Sequence, residues 1–454
     1  QGGNEGSIKG GAGAGIGGGS TCTGGGTLSN PNGGTATITI GDPEDPDKRP
    51  VLRTGSIGGG GTAAKDGTVG SAVINVYGGD IQAQFVMASS PGNSFNMSGG
   101  TIRNSYHTDT EYRHIQENGG AVYMEQGSFM MTGGDIKNCT GVNGGAVYIK
   151  GDANTTFTME GGAILHSTAD QNGGALYLEG GTVTLKGGSI EENLAAKGNG
   201  GGICIKRGSF YMPEGGKAVI QNNAAYSRNT DGNGSGGGVY VTSSTEAVTV
   251  NIISGKIQNN TSDRYGGGLS VDMSGSQNVT ANVTVGKERG STMNNPLITG
   301  NRASLEGGGL YVNGALANIV INDGMIQGNM TAGYVANADV ANEGGMVTLK
   351  GGDVPHVVVT YMPNGGSINL GGQAVSSVTQ NIVTATNSTM VVPGTFTRPG
   401  WKITSWHTRP DGDDSKGTRH TPKDLNNPMT GVTLNLSESV TLYAQWTETT
   451  SSGQ

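Results

Sequence analysis

Apolar and polar residues alternate in short runs along most of this chain, and pairs of glycines separate the runs. Residues 144–149 (GGAVYI) give the clearest run. Similar segments begin at residues 119, 173, 200, 236, 266, 307 and 344, between 25 and 41 residues apart. Such a repeat is typical of a solenoid, in which a coil buries its apolar face only when its neighbours stack on it.

Each repeat is predicted to contain three short strands. In the first strand, the apolar residues on either side of the tyrosine, such as Val147 and Ile149, share one face because side chains alternate with a period of two. The second strand, as in residues 129–138 (FMMTGGDIKN), ends at a glycine pair that can adopt the positive φ of a sharp corner. The third strand places an isoleucine shortly before an asparagine. Helical periodicity is absent, so the pattern predicts an all-β parallel β-helix.

The Gly-Gly-Ala and asparagine segments of residues 36–355 resemble the right-handed, pectate-lyase-like β-helix family. They are also similar to the repeats of chlamydial polymorphic outer-membrane proteins and of other glycine-rich bacterial surface proteins. The resemblance lies in the repeat and includes no catalytic motif. It implies a right-handed parallel β-helix solenoid in a protein located outside the cell, on a bacterial surface.

The sequence changes character at Pro355, beyond which all three tryptophans of the chain lie. Residues 357–366 (VVVTYMPNGG), 397–409 (TRPGWKITSWHTR) and 442–446 (LYAQW) resemble the Listeria–Bacteroides repeat, also called the internalin B-repeat. This resemblance implies a small β-grasp-like module of an extracellular bacterial protein.

Four segments are therefore expected. Residues 36–355 form the parallel β-helix, residues 356–447 form the C-terminal module and residues 448–454 form a linker tail. Residues 1–35 are either a glycine-rich flexible leader or an irregular first coil, because the sequence Ile-Gly-Gly-Gly that begins at Ile16 recurs at Ile57.

Composition narrows the functions open to the chain. Glycine is extreme, at 86 residues, but a Gly-X-Y period is absent, which excludes a collagen helix. Charged residues make up only 14% of the chain and the formal net charge is −8, which argues against a nucleic-acid partner. The sequence has no run of 18 apolar residues, so membrane insertion is not expected. Cys22, Cys139 and Cys204 occupy different positions in the repeat, so we expect three free or buried thiols.

A column of asparagines at the corner after the third strand is the first candidate site. Its members are Asn104, Asn138, Asn193, Asn223, Asn260, Asn301 and Asn329. Stacked amides can hydrogen-bond along the stacking axis, and asparagine tolerates the left-handed conformation of a corner. We interpret the column as a structural ladder, with ligand binding as the alternative.

A column of tyrosines in the middle of the first strand is the second candidate. Its members are Tyr123, Tyr148, Tyr177, Tyr240 and Tyr311, and Cys204 and Ser270 interrupt it. By alternation these side chains point outward, and strands about 4.8 Å apart would make them a flat aromatic stripe. Such a stripe could bind sugar rings or a partner protein. The alternative is packing between strands that shields the sheet.

Loops of variable length follow the asparagine corner, and insertions on one side of a solenoid often form its binding face. Residues 105–118 are the richest insertion, with Tyr106, His107 and Tyr112 as candidate binding residues. The other insertions are residues 224–235, 261–265 and 330–343. The alternative is that they are tolerated surface insertions.

Catalytic and metal sites have weaker support. Hydrolysis of a glycosidic bond needs two carboxylates at a fixed separation, but no two can be assigned to adjacent coils. The candidate residues are Asp109, Glu111, Arg113, His114, Asp152 and Asp170. His107 and His114 lack a third zinc ligand, so neither a metal nor a cofactor is predicted. His166 is interpreted as a structural substitute for a corner asparagine.

These observations favour a non-enzymatic extracellular bacterial surface protein, either an adhesin or a structural component of the envelope. We expect a β-helical stalk whose lateral face binds a host or bacterial glycan or surface protein. Two alternatives stay open. One is a polysaccharide lyase or glycoside hydrolase of the β-helix fold. The other is a filament subunit that self-associates, because an uncovered end coil exposes unpaired backbone groups.

Overall fold

The computed structural model describes residues 16–17, 36–44, 50–58, 71–87, 90–104, 118–227, 232–288, 295–332, 339–383, 388–392, 394–422, 430–434 and 439–449. All regular structure in these residues is β-strand, and no helix occurs among them. The predicted all-β class is confirmed. Two long parallel sheets, of 28 and 7 strands, contain every described strand from Ile16 to Leu349. This arrangement is consistent with a β-helix.

The strands of the parallel sheets form four columns, because each strand pairs in register with the corresponding strand of the next repeat. The first column contains Ile16–Gly17, Val122–Met124, Val147–Ile149, Val239–Val241, Leu269–Asp272, Leu310–Asn313 and Val340–Glu343. The second contains Ala36–Ile40, Ala72–Val76, Ser94–Met97, Ser128–Met131, Thr156–Met159, Val248–Ile252, Ala281–Val285, Ala317–Ile321 and Met346–Leu349.

The third column contains Thr101–Arg103, Asp135–Lys137, Ala163–Leu165, Ser189–Glu191, Val219–Gln221, Lys256–Gln258, Leu297–Thr299 and Met325–Ile326. The fourth contains Thr140–Gly141, Thr168–Ala169, Leu194–Ala195, Ala224–Ala225, Thr261–Ser262, Arg302–Ala303 and Met330–Thr331. Leu176–Leu185 and Ile203–Met212 each run from the first column into the second. Val51–Gly58 and Asp80–Met87 each run from the third column into the first.

The first three columns contain the three predicted strands of each repeat. The fourth column is a feature that the sequence pattern does not indicate. Its two-residue strands Ala224–Ala225, Thr261–Ser262 and Met330–Thr331 begin the segments that the sequence assigns to loops. These residues are held in place by backbone pairing with the neighbouring repeats. The sequence pattern of a single repeat cannot show such pairing.

Inward-facing side chains of the first three columns build one continuous core. Val147 and Ile149 are fully buried, as the alternation predicts. Four phenylalanines stack along this core with ring centroids 4.4 to 4.6 Å apart. They are Phe85, Phe95, Phe129 and Phe157. Burying a side chain of this size contributes about 1.5–3 kcal/mol relative to an exposed one, so the stacking of repeats drives folding.

The glycine pair that follows second strands such as Ser128–Met131 and Thr156–Met159 has the predicted conformation. Its second glycine adopts positive φ, 82° at Gly134 and 83° at Gly162. At the N-terminal end, Ile16–Gly17 pairs in parallel with Ile57 and Gly58. This pairing places two residues of segment 1–35 in the first column. The other residues of that segment lie outside the described part of the chain.

The C-terminal residues form smaller sheets around a second hydrophobic core. A five-stranded sheet has the order Val378–Ile382, Val357–Met362, Val440–Glu448, Trp401–His407 and Arg419–His420. A three-stranded sheet contains Gln373–Val375, Ser367–Leu370 and Thr395–Thr397, and Ser388–Val391 pairs with Thr430–Leu434. The buried Trp406 meets Tyr361 and Phe396 edge-to-face at 5.3 and 5.1 Å. Val383 packs instead in the core of the long parallel sheets.

Cys139 and Cys204 are free thiols and are buried, in agreement with the sequence prediction. Burial raises the pKa of each thiol to about 12. Both thiols are therefore protonated at neutral pH and unreactive. Cys22 lies outside the described residues.

Candidate functional site

The tyrosines of the first column form a stack. Tyr123, Tyr148 and Tyr177 pair in register on neighbouring strands. Their ring centroids are 5.4 and 5.5 Å apart, with planes inclined by 7° and 0°. The side chains lie outside the main core and pack in a separate cluster with Cys204 and Tyr240.

The stack is covered, so the expectation of an exposed aromatic stripe is wrong. Tyr148 and Tyr311 are only 4% and 2% exposed, and Tyr177 and Tyr240 are also buried. The glycine turn before each first strand folds back over the column. A Cβ on Gly236, for example, would lie 2.6 Å from the Cβ of Tyr240. Alternation correctly assigns the face, but it cannot show that the turn covers that face.

The tyrosine hydroxyls bind carboxylates at the edge of the column. Tyr123 donates to Glu125 at 2.9 Å, Tyr311 donates to Glu343 at 2.7 Å, and Tyr148 donates to Glu179. Burial, followed by the bond to Glu125, raises the pKa of Tyr123 to about 12. Burial also raises the pKa of the other column tyrosines. The column thus stays neutral and orients carboxylates towards the surface.

The asparagine column forms a buried hydrogen-bonded ladder over five of its seven predicted members. These are Asn193, Asn223, Asn260, Asn301 and Asn329, and the ladder ends on the carboxylate of Asp339. Both the backbone N–H and the Nδ2 of Asn223 donate to Oδ1 of Asn260 at 2.9 Å. The same Nδ2 donates to the carbonyl of Ile190 at 2.9 Å. These amides are satisfied by protein groups, which leaves little for a ligand.

Asn104 and Asn138 do not belong to this ladder, which corrects the sequence assignment. Asn138 is exposed and occupies the corner position before it, with φ of 55°. Cys139 takes the ladder position, and its N–H donates to Oγ of Ser167 at 3.4 Å. Ser167 in turn donates its N–H to Asn193. Asn104 lies at a corner equivalent to Asn138 and bonds to Thr140 instead.

A second asparagine ladder lies at the glycine turn before the first strand. Its members are Asn118, Asn143, Asn172 and Asn199. The N–H of Asn143 donates to Oδ1 of Asn118 at 3.1 Å, and Asn199 donates likewise to Asn172 at 3.0 Å. The recurring Asn-Gly-Gly sequence is the signal that could have predicted it. This ladder fixes the turns that cover the tyrosines.

An open groove of about 590 Å³ lies at the corner between the first and second columns. Glu125, Lys150, Asp152, Arg207 and Glu246 line it. Together with Gly180 and Gly181 they come from five consecutive repeats, so the groove crosses the stacked strands. Glu125 also accepts the hydroxyl of Tyr123, so the covered aromatic column positions one groove carboxylate.

Glycines form the floor of the groove and let an arginine lie across it. Nε of Arg207 donates to the carbonyl of Glu179 at 2.9 Å, and Nη1 donates to Glu246 at 3.0 Å. A Cβ on Gly180 would lie 3.0 Å from Nη2 of Arg207 and 2.1 Å from the carbonyl of Gly151. Nη2 has no protein partner in the described residues, and Lys150 has no ion pair there. The groove therefore offers both cationic donors and carboxylate acceptors.

Other predicted site residues lie elsewhere. Tyr106, His107 and Tyr112 fall outside the described residues, as do Asp109, Glu111, Arg113 and His114. Asp152 lines the groove, whereas Asp170 pairs with Lys197 at 2.8 Å. His166 occupies a left-handed corner, with φ of 51°, and bonds to Glu192.

Within the described ranges, no group of three or more His, Cys, Asp and Glu side chains could hold a metal ion. In the same residues, no helix is long and apolar enough to span a membrane. No protein-family model, curated protein or solved structure matches this chain. The groove is therefore the candidate site on its geometry alone.

Proposed function

We propose that this chain is an extracellular bacterial surface protein whose stalk is a right-handed β-helical solenoid and whose lateral groove binds a glycan chain. The C-terminal sheets form the β-grasp-like module of the Listeria–Bacteroides type. The groove is the observation that supports this proposal, because it is open, spans several repeats and is lined by side chains of both charges and by glycines. Carboxylates and guanidinium donors are the groups that fix sugar hydroxyls by charge-assisted hydrogen bonds.

The test is binding of the full chain to a glycan array, followed by calorimetric titration of the glycans retained. Arg207→Ala removes the cationic donor at the centre of the groove and should weaken binding about tenfold or more. Lys256→Ala removes an exposed lysine of the third column and should leave affinity unchanged. Failure of the wild-type chain to retain any glycan, or equal effects of the two variants, would contradict the proposal.

Glycan cleavage is a second candidate, favoured by one observation. Glu125 and Asp152 come from adjacent repeats and line the same groove, and acid–base cleavage of a glycosidic bond uses such a pair. Release of reducing ends or of unsaturated sugars from a bound polysaccharide would establish it. Glu125→Gln and Asp152→Asn should each then abolish turnover while binding persists. Binding without any product would leave the non-enzymatic function.

Self-assembly is the third candidate. The inward residues Val347 and Leu349 of the strand Met346–Leu349 are only half-buried, so the last strand of the second column leaves part of the core accessible. A second chain stacked there would bury them. Light scattering and electron microscopy of the purified protein test this function. Monodisperse single rods would exclude it.

A further inference from the structure

The outward face of the second column has a composition unlike that of the neighbouring face. Eleven strands contribute two outward residues each, and none of these 22 residues is charged. In the whole chain, by comparison, charged residues make up 14%. Eighteen carry a hydroxyl or a side-chain amide, as Thr156, Thr158, Thr182 and Thr184 do. At about 4.8 Å per strand the face extends about 50 Å along the stack. We call it the hydroxyl face.

The third column provides the contrast. Its outward positions include seven charged residues, namely Arg53, Asp80, Arg103, Asp135, Lys137, Glu191 and Lys256. Several are neutralised by partners on the same face, as Arg103 is by Asp80. Charge is therefore compatible with outward positions in this protein. The absence of charged residues from the described strands of the hydroxyl face is therefore specific to that face and is not a general feature of outward positions.

The hydroxyl face is regular and its polar side chains are partly exposed or exposed. Equivalent residues pair without a register shift from Ser94–Met97 to Thr156–Met159 and again from Val248–Ile252 to Met346–Leu349. In the described residues the hydroxyls of Thr156 and Thr184 have no protein partner. They are free to exchange hydrogen bonds with water or a ligand.

The groove is continuous with this face. Thr182 and Ser209 line the groove and are also outward residues of the second column. A chain held by Arg207 could therefore continue across the sheet over the hydroxyl groups. The groove would then be the charged end of a longer, uncharged binding surface.

We infer that the hydroxyl face binds an extended, uncharged polysaccharide that begins in the groove. This inference rests on the proposed function and names its ligand class. A charged polymer would find no counter-charge on this face, whereas neutral sugar hydroxyls match its donors and acceptors. A second copy of the chain fits less well, since each chain carries a net charge of −8 and two copies repel each other. The face also lacks a large apolar centre.

The experiment compares long and short neutral glycans. The full chain is assayed for depletion by insoluble cellulose and chitin and for binding of their soluble oligosaccharides. Thr284→Lys combined with Thr348→Lys places two charges on the hydroxyl face, two and four strands away from the groove residue Ser209. This variant should reduce polymer binding about tenfold or more, because an unpaired charge would be buried under the polymer, and should leave oligosaccharide binding unchanged. Thr299→Lys on the third column is the matched control.

The outcomes separate this inference from the proposed function. Polymer binding that is lost in Arg207→Ala but unchanged in the hydroxyl-face variant overturns the inference and leaves glycan binding in the groove intact. Selective binding of a charged polysaccharide such as polygalacturonate overturns it as well. Concentration-dependent dimers that disappear in the hydroxyl-face variant would make the face a self-interface, which also overturns it. Binding to no glycan at all removes both proposals.

Discussion

Tyr265 stacks on Tyr311 with ring centroids 4.3 Å apart and planes inclined by 14°, although Tyr265 does not belong to the first-column strands. The strand of its own repeat carries Ser270 at the tyrosine position, paired in register with Tyr240 and Tyr311. Ser270 is nevertheless fully buried. A ring supplied from the turn, five residues upstream, thus stands in for the ring that the strand lacks.

This relationship predicts a compensating pair of substitutions. Ser270→Tyr alone should destabilise the protein by about 1–3 kcal/mol, because a second ring must enter a space that Tyr265 occupies. Tyr265→Ala alone removes a half-buried ring and should cost about 1–2 kcal/mol. In the double variant the new ring can take the vacated space, so its loss should be smaller than the sum of the two by about 1–2 kcal/mol. Denaturant unfolding of the four proteins measures this coupling, and additive losses would show that the two positions are independent.

The ladder residue Asn260 should be far more sensitive than the corner residue Asn138. Asn260→Ala removes the acceptor for two donors of Asn223 and the donor for the carbonyl of Ile220. Leaving buried polar groups unpaired costs about 1–3 kcal/mol each, so a loss of about 3 kcal/mol or more is expected. Asn138→Gly keeps the left-handed corner accessible and should change stability by less than about 0.5 kcal/mol. Equal losses in thermal or chemical unfolding would place both residues in the ladder.

The assignment of Asn138 shows where the sequence stops being informative. The strands and their buried positions, such as Val147, can be predicted from the alternation of residues within a single repeat. The other repeats show the same alternation. The corner needs a left-handed residue followed by an inward amide, and asparagine suits both roles. In the repeat of Asn138 and Cys139 the asparagine fills the first role, so its presence alone cannot identify the ladder position.

The candidate site was less accessible to sequence reasoning than the fold. Outward alternation identifies the face of Tyr148, but the glycine turn that buries this ring becomes visible only in three dimensions. The groove combines short corner segments from several repeats, including Lys150 and Arg207, that have no common motif. Its formation depends on how the corners of differing length stack. A repeat pattern does not contain that information.

Glycines whose backbones touch the next repeat should be intolerant of any side chain. A Cβ on Gly145 would lie 2.2 Å from the carbonyl oxygen of Gly174, a backbone atom that cannot move without disturbing the stack. Gly145→Ala should therefore cost about 3 kcal/mol or more. Gly275→Ala is the matched control, because a Cβ there has no heavy atom within 4 Å. It should be neutral or stabilise by about 0.4–1 kcal/mol through the unfolded chain. Comparable unfolding midpoints for the two variants would contradict the close approach at Gly145.

The covered tyrosines should make the protein sensitive to alkali. Burial raises the pKa of Tyr148 above its ordinary value of 10.0, and the bond to Glu179 raises it further. The folded state therefore holds this proton more tightly than the unfolded state does. Its contribution to stability is complete below pH 10 and declines as pH rises towards the folded-state pKa. The same sign applies to Tyr123, for which burial raises the pKa to about 12.

Phenolate absorbance and circular dichroism, followed together through an alkaline titration, test this behaviour. The buried column tyrosines should ionise together with unfolding, because burial raises the pKa of each. Tyr148→Phe keeps the stacked ring but removes one titrating group, so stability should fall less steeply above pH 10. Loss of its hydrogen bond should cost about 1 kcal/mol at neutral pH. If the column phenolates instead form near the ordinary pKa while the strands remain intact, the turns do not cover the stack and the aromatic stripe becomes available to a ligand.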